Sequence, residues 1–267
     1  MDDSRIPEVF QTASGLGALL GYYPVRRSHR LGNLVVCLVL LAGAALVLLY
    51  GIYSSFLAYQ LHGPAVIDNK LTASLLIAVL LAGLGALAGW GAYANWRKGA
   101  AVYERGLAYQ DRTGLKTWSW EDILSMTSAV TRHYTNGIYT GTSHVYNLLG
   151  RHNQKVKLGD SIGKVESLAR VIDTNIFPLL YPRAVEHYNS GEMLPFGPVA
   201  ISKQGITIGK RTYPWGEVKE VSIHRGILKV TRKDGGWFGG ARAPAAAIPN
   251  LRVLLAIIQQ VVGLKAN

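Results

Sequence analysis

Apolar residues follow three patterns along this chain, and each pattern predicts a different kind of element. Two stretches, Leu34 to Leu57 and Leu71 to Ala94, carry no charged side chain at all. As helices, each is long enough to cross about 30 Å of hydrocarbon, so both are read as transmembrane spans. The turn-rich segment Gln60 to Asn69 separates them. A mostly polar stretch, residues 1–33, comes before the first span, which is the wrong order for a cleavable signal peptide.

Beyond Trp96 the pattern changes to short runs of Val, Ile, Tyr, Thr and Trp broken by glycine, which predicts an antiparallel β region. Asn136-Gly137 and Asp234-Gly235 are hairpin signals, because both residues of such a turn adopt positive φ. The third pattern is helical. One amphipathic helix is predicted from a cap at Asp160 or Ser161, with Ile162, Val165, Leu168, Ala169, Ile172 and Ile176 on one face. A second is predicted from Asn250, with Leu251, Leu254, Leu255, Ile258, Val261 and Val262 on its face.

These elements recur in the same order, which suggests an internal repeat. Tyr103-Glu104-Arg105-Gly106-Leu107-Ala108-Tyr109 is followed by Trp120-Glu121-Asp122-Ile123, then strands, then a helix. Ser202-Lys203-Gln204-Gly205-Ile206-Thr207-Ile208 is followed by Trp215-Gly216-Glu217-Val218, then strands, then a helix. In each copy the Trp is expected to open a strand and plug the core. Several strands closed by one amphipathic helix describe the pleckstrin-homology (PH) superfold, a bent antiparallel sheet capped by its C-terminal helix.

The chain also resembles an uncharacterised family of bacterial membrane-anchored proteins with PH-like domains. The resemblance rests on Leu16-Gly17 leading to Tyr22-Tyr23-Pro24, on Tyr103-Glu104-Arg105-Gly106, and on Asn136-Gly137-Ile138-Tyr139-Thr140-Gly141-Thr142. It continues through Phe196-Gly197, Pro214-Trp215-Gly216-Glu217-Val218 and Ile248-Pro249-Asn250. What it implies is a fold; that family has no established activity to lend.

Charge adds an orientation. Arg26, Arg27 and Arg30 precede the first span, and Arg97, Lys98 and Arg105 follow the second. Between the spans stands only Lys70, beside Asp68. Short loops rich in Lys and Arg stay on the cytoplasmic side, so both termini are expected in the cytoplasm of a bacterial inner-membrane protein. From Asn95 onward, 23 Lys and Arg oppose 12 Asp and Glu, a net charge of 23 − 12 = +11. Anionic headgroups attract such a surface by up to roughly 1 kcal/mol per nearby cation, which makes lipid a nearer partner than nucleic acid for a tethered domain. The candidate contacts are Lys203, Lys210 and Arg211 around one hairpin, and Arg232, Lys233 and Arg242 beside the rings of Trp237 and Phe238. Within the second span, Gly85 and Gly89 give a small-xxx-small spacing, read as a face that packs on the first span or in a homodimer.

The search for chemistry yields little. The seven histidines, His29, His62, His133, His144, His152, His187 and His224, show no metal-ligand spacing and are read as scattered surface residues. Cys37, the only cysteine, lies inside the first span and excludes an internal disulfide or cysteine cluster. Glu121 and Asp122 are expected on opposite faces of a strand, too far apart to share a proton. Asp122 and Glu217 hold equivalent positions, which argues for turns or caps. No serine-hydrolase signature is expected, and Gly235 to Gly240 lacks the Lys-Ser/Thr ending of a phosphate loop.

The expected organisation is a membrane α-hairpin followed by an α+β region. It comprises a cytoplasmic tail (1–33), a two-helix hairpin (34–57 and 71–94), and PH-like domains over 99–190 and 191–267. The expected role is a non-enzymatic binding or scaffold module without cofactor or metal. The alternatives are a regulatory subunit of a larger membrane complex and, behind it, an enzyme of lipid or envelope precursors.

Overall fold

The computed structural model describes residues 6–11, 15–63, 67–96, 98–234, 240–260 and 262–263. Two compact units emerge: residues 24–99 with 110–114 form one, and the rest of the described chain forms the other.

The first unit is built on two long helices, α2 (Arg27–His62) and α3 (Ile67–Trp96). Each extends beyond the apolar stretch that predicted it. Both contain a segment long and apolar enough to cross a membrane, Leu31–Leu61 and Leu71–Ala94. The 24 residues of the second rise about 36 Å. Only 11% of either window is buried, so Leu38, Val39, Leu46, Leu80 and Leu87 present apolar surface outward. The helices meet antiparallel through small residues. A Cβ placed on Gly51 would lie 2.4 Å from Ser74, one on Gly85 3.2 Å from Leu41, and one on Gly89 3.1 Å from the Cys37 sulfur. Gly85 and Gly89 therefore face the neighbouring helix of the same chain. The closest approach, at Gly51, carries no motif in the sequence.

The second unit holds two large hydrophobic cores, each wrapped by a four-stranded sheet, a three-stranded sheet and a helix, and a smaller apolar cluster of Phe10, Leu16, Ala101, Tyr103 and Ala108. The first four-stranded sheet runs β1 (Leu19–Pro24), β2 (Gly99–Tyr103), β3 (Gly106–Asp111) and β4 (Gly114–Ser119), in that order. Its companion is β5 (Ile123–Thr135), β6 (Ile138–Gly150) and β7 (Lys155–Gly159). Helix α4 (Val165–Asn189) closes the core with Val165, Leu168, Ala169, Ile172 and Ile176. The second set is β8 (Leu194–Phe196), β9 (Val199–Ile201), β10 (Gly205–Ile208) and β11 (Arg211–Pro214). It continues with β12 (Val218–His224), β13 (Ile227–Arg232), β14 (Gly240–Pro244) and α5 (Leu251–Gln260).

Four expectations change here. First, the segment before the hairpin is not a separate tail. β1 joins the sheet of β2, and helix α1 (Glu8–Gln11) buries Phe10 to 1% exposure among Tyr103, Ala108 and Leu16. The Tyr103 hydroxyl donates to the Phe10 carbonyl. Second, Trp120–Asp122 and Trp215–Glu217 are single 3-10 turns between strands, so Trp does not open a strand and Glu121 and Asp122 do not point to opposite faces of one. The 3-10 turn forms because Asp122 accepts from both the backbone N–H and the hydroxyl of Ser119, a capping box. Third, the first amphipathic helix does not stop with its expected face at Ile176. α4 begins at Val165, later than the expected cap, runs through Pro178 and Pro182, and lays Phe177, Tyr181, Val185 and Tyr188 against the second core. One helix thus serves both cores. Fourth, α5 buries Val253, Leu254, Ile257 and Ile258, while Leu251 and Leu255 turn sideways; Val261 lies outside the described residues.

Gly106 and Gly205 occupy the same place in their sheets. A Cβ at Gly106 would fall 2.1 Å from the Trp118 carbonyl oxygen, and one at Gly205 2.2 Å from that of Tyr213. Only glycine lets those strands approach.

Candidate binding surfaces

The two cores are joined by a small set of polar contacts that begin at Asn250. This residue stands just before α5 with φ of 50°, a left-handed conformation that asparagine tolerates. Its backbone N–H donates to the Met126 carbonyl at 2.9 Å, its side-chain oxygen accepts from Met126 N at 2.9 Å, and its amide donates to the Leu124 carbonyl at 3.0 Å. Leu124 lies where the β5–β6 register shifts, so Asn250 satisfies the backbone that the bulge exposes. Nearby, Arg252 of α5 pairs with Asp173 of α4 at 2.8 Å and lies 4.2 Å over the Phe177 ring. The Tyr181 hydroxyl donates to Gln260 Oε1 at 2.7 Å.

Beside these contacts opens a cleft of about 680 Å³, between β5 and the facing sides of α4 and α5. That volume is within the range of small-ligand and peptide-side-chain pockets. Its floor is apolar, with Ala169, Phe177, Leu251 and Leu255, and Arg170 and Ser128 stand at its rim. Tyr146, directly opposite Ser128 on β6, also faces it. Burial, reinforced by the Glu166 carboxylate, pushes the Tyr146 phenol above its usual pKa.

One histidine is misplaced by the sequence reading. His144 is not a surface residue: its imidazole is 16% exposed and held between Asp160 (Nδ1, 3.2 Å) and Glu166 (Nε2, 3.1 Å), tying β6 to the start of α4. The same turn contains Gly159-Asp160-Ser161-Ile162-Gly163, a Gly-x-Ser-x-Gly match that the sequence reading passed over. Both His144 ring nitrogens are taken by carboxylates, and among the described residues Ser161 makes no hydrogen bond to it, so no nucleophile–base pair forms. Among the described residues no group of His, Cys, Asp and Glu is arranged to hold a metal ion. His133 bonds Ser143 and His187 bonds Glu192, both in exposed positions.

The basic residues are redistributed. Lys203 lies in the β9–β10 turn, and Lys210 and Arg211 lie at the β10–β11 turn, at opposite ends of a four-residue strand about 13 Å long. They are exposed but do not form one cluster. Arg232 is tied to Glu217 at 2.7 Å, so Glu217, like Asp122, has a structural partner. Lys233 is exposed at the end of β13, and Trp237 and Phe238 lie outside the described residues. Arg242 is directly opposite Lys229 in the β13–β14 register, and both are exposed. Lys229 was missed because the pairing of β13 with β14 crosses a loop whose length does not fix the register. The signal was present, however: Ile227 to Lys233 alternates, and its outward positions could have been counted.

No curated protein matches the sequence. A family model covers residues 8–266, from α1 through the end of α5, and thus spans both the hairpin and the two cores. The chain belongs to that family, a family of unknown function designated DUF6585.

Proposed function

We propose that this chain is a membrane-anchored binding or scaffold module, with α2 and α3 crossing a bacterial inner membrane and two PH-like folds, one around each core, held in the cytoplasm. The observation that carries the reading is the sheet order β1-β2-β3-β4. β1 precedes the helical hairpin and β2 follows it, so both must lie on one side of whatever the hairpin crosses, as two spans require. The flanking arginines assign that side to the cytoplasm. The PH-like reading is supported by the order of elements, the same around both cores: four strands, a 3-10 turn at a Trp, three strands and a closing helix. In both, the Trp indole N–H donates to a backbone carbonyl just before the equivalent glycine, Trp120 to Glu104 at 3.0 Å and Trp215 to Ser202 at 2.8 Å.

Binding rather than catalysis is favoured by the cleft's lining, in which the charged groups Glu166 and Asp173 are already paired with His144 and Arg252. Anionic lipid contact is favoured by Lys229 and Arg242. Like charges directly opposite on a sheet are unfavourable unless an anion lies across them, and no carboxylate pairs with either among the described residues. Tethering makes even weak headgroup contacts effectively intramolecular.

The test uses the full chain in phosphatidylcholine nanodiscs, because a fragment starting at residue 99 would lack β1. Co-sedimentation is measured with vesicles of phosphatidylcholine alone and of phosphatidylcholine mixed with phosphatidylserine. Binding to the anionic vesicles alone, weakening with salt and lost in the Lys229→Glu, Arg242→Glu double variant, is expected. Equal retention by both vesicles, or no effect of the double variant, would remove the lipid contact.

A further inference from the structure

We propose that the outer edge of β5 beyond Asn250 is a docking site for an extended peptide of a partner protein, added as a further strand with an apolar side chain and an acidic one turned into the cleft. The inference rests on the binding-module reading and names the partner's chemistry.

The backbone geometry comes first. β5 is the edge strand of the sheet β5-β6-β7, and along an antiparallel edge every second residue directs both its N–H and C=O outward. Met126 is such a residue, since both of its groups bond Asn250. Counting on by two, Ser128, Val130 and Arg132 also present their N–H and C=O outward, before the register shifts again at His133 and Tyr134. Among the described residues no backbone group pairs with those three. Asn250 thus takes the outward groups of Met126 as a paired strand would, and the Ala245–Ala247 turn also lies beside β5. The outward backbone groups of Ser128, Val130 and Arg132 are left for an added strand. An edge of this kind, carrying exposed Val130, is a template for strand addition.

Side-chain geometry sets the sequence of the occupant. Residues opposite one another across an antiparallel pair share a face, and Met126 and Ser128 face the cleft. Alternate side chains of an added strand would then enter the same cleft, whose floor of Ala169, Phe177, Leu251 and Leu255 suits an aliphatic or aromatic group. Arg170 is exposed at the rim with no carboxylate within 4.0 Å among the described residues, and Arg132 is exposed further along the edge. Both favour a peptide carrying Asp or Glu two positions from its apolar anchor.

The experiment pans a phage-displayed random peptide library against the full chain in phosphatidylcholine nanodiscs and measures the enriched peptides by fluorescence anisotropy. Enrichment of sequences alternating an apolar residue with Asp or Glu is expected. Val130→Pro removes one outward N–H while sparing every bond to β6, and should weaken those peptides by about tenfold or more. Arg170→Glu, an exposed change that does not threaten the fold, should weaken the acidic peptides similarly. Peptides N-methylated at alternate residues should lose binding to the unaltered chain, a readout free of any folding effect. The proposal is overturned if no family of peptides is enriched, or if enriched peptides bind Arg170→Glu and their N-methylated forms bind the unaltered chain as tightly as before. Failure here with vesicle binding intact removes the peptide site alone; loss of both removes the binding-module reading itself.

Discussion

The two cores follow the same order of elements, yet they differ in where their strands come from and how far those strands reach. Around the second core the strands are local, with β8 to β11 following one another in sequence. Around the first, β1 arrives from before the helical hairpin and is separated from β2 by both long helices. The three-stranded sheets differ as well. β12 and β13 have 7 and 6 residues, whereas β5 and β6 each have 13 and extend past the end of β7. The shared part builds a core; the added length builds a free edge. That contrast is the basis for proposing peptide docking at the first core's β5 and lipid contact at the second core's β13 and β14.

The comparison is broken most severely at the two equivalent glycines. Gly106→Val and Gly205→Val each drive a side chain into a backbone carbonyl that has nowhere to move, and each should cost about 3 kcal/mol or more. Chemical denaturation of the full chain in detergent would measure this. Equal losses would support a common plan, and a large loss at only one position would contradict it.

Asn250→Ala tests the joint between the cores. It removes two side-chain hydrogen bonds to β5 and places alanine at positive φ, for an expected loss of about 2 kcal/mol. Because Asn250 couples the cores, the thermal transition should also broaden or split; a single sharp transition at lower temperature would show that α4 alone holds the two together.

Alkaline pH should act on both cores. Burial raises the phenols of Tyr146 at the first core, Tyr188 at the second and Tyr103 in the small cluster around Phe10 above the ordinary value of 10.0. A group whose folded pKa is raised contributes stability that is complete below its unfolded pKa and lost as pH rises through the folded one. Stability should therefore hold to about pH 10 and then fall as tyrosinate absorbance appears. Tyr146→Phe should delay that fall. The smallest effect is expected at Glu217→Gln, which breaks a half-exposed pair with Arg232 and should change stability by no more than about 1 kcal/mol.

What the sequence disclosed follows the range of the interactions involved. The hairpin helices, the Asn136-Gly137 turn and the inward residues of α4 from Val165 to Ile176 are local patterns, and they were readable. The turn at Asn136-Gly137 has φ of 51° and 80°, as its residue types require. The strand inside the expected tail, residues 1–33, is hidden in the sequence because 74 positions separate the end of β1 from the start of β2 and leave no periodic mark, and Phe10 gives no sign of its partner Tyr103. Pro178 and Pro182 lie inside α4, where packing of the same helix against two cores outweighs the backbone bonds they remove. At the candidate sites, the individual cations could be named from sequence, while their grouping depended on strand register. The Lys203, Lys210 and Arg211 set divides, and Lys229 joins Arg242. The cleft and the free edge of β5 are products of tertiary placement alone.

The most direct test of the central claim is thiol accessibility in intact cells, using a membrane-impermeant maleimide on chains in which Cys37→Ala removes the native thiol. Gly63→Cys lies between the two helices, Gln11→Cys in α1 before them, and Lys203→Cys in the second core. The account predicts that Gly63→Cys is labelled in intact cells, while Gln11→Cys and Lys203→Cys react only after the membrane is permeabilised. Opposite behaviour of Gln11→Cys and Lys203→Cys would contradict it, because β1 and β2 could not then share a sheet.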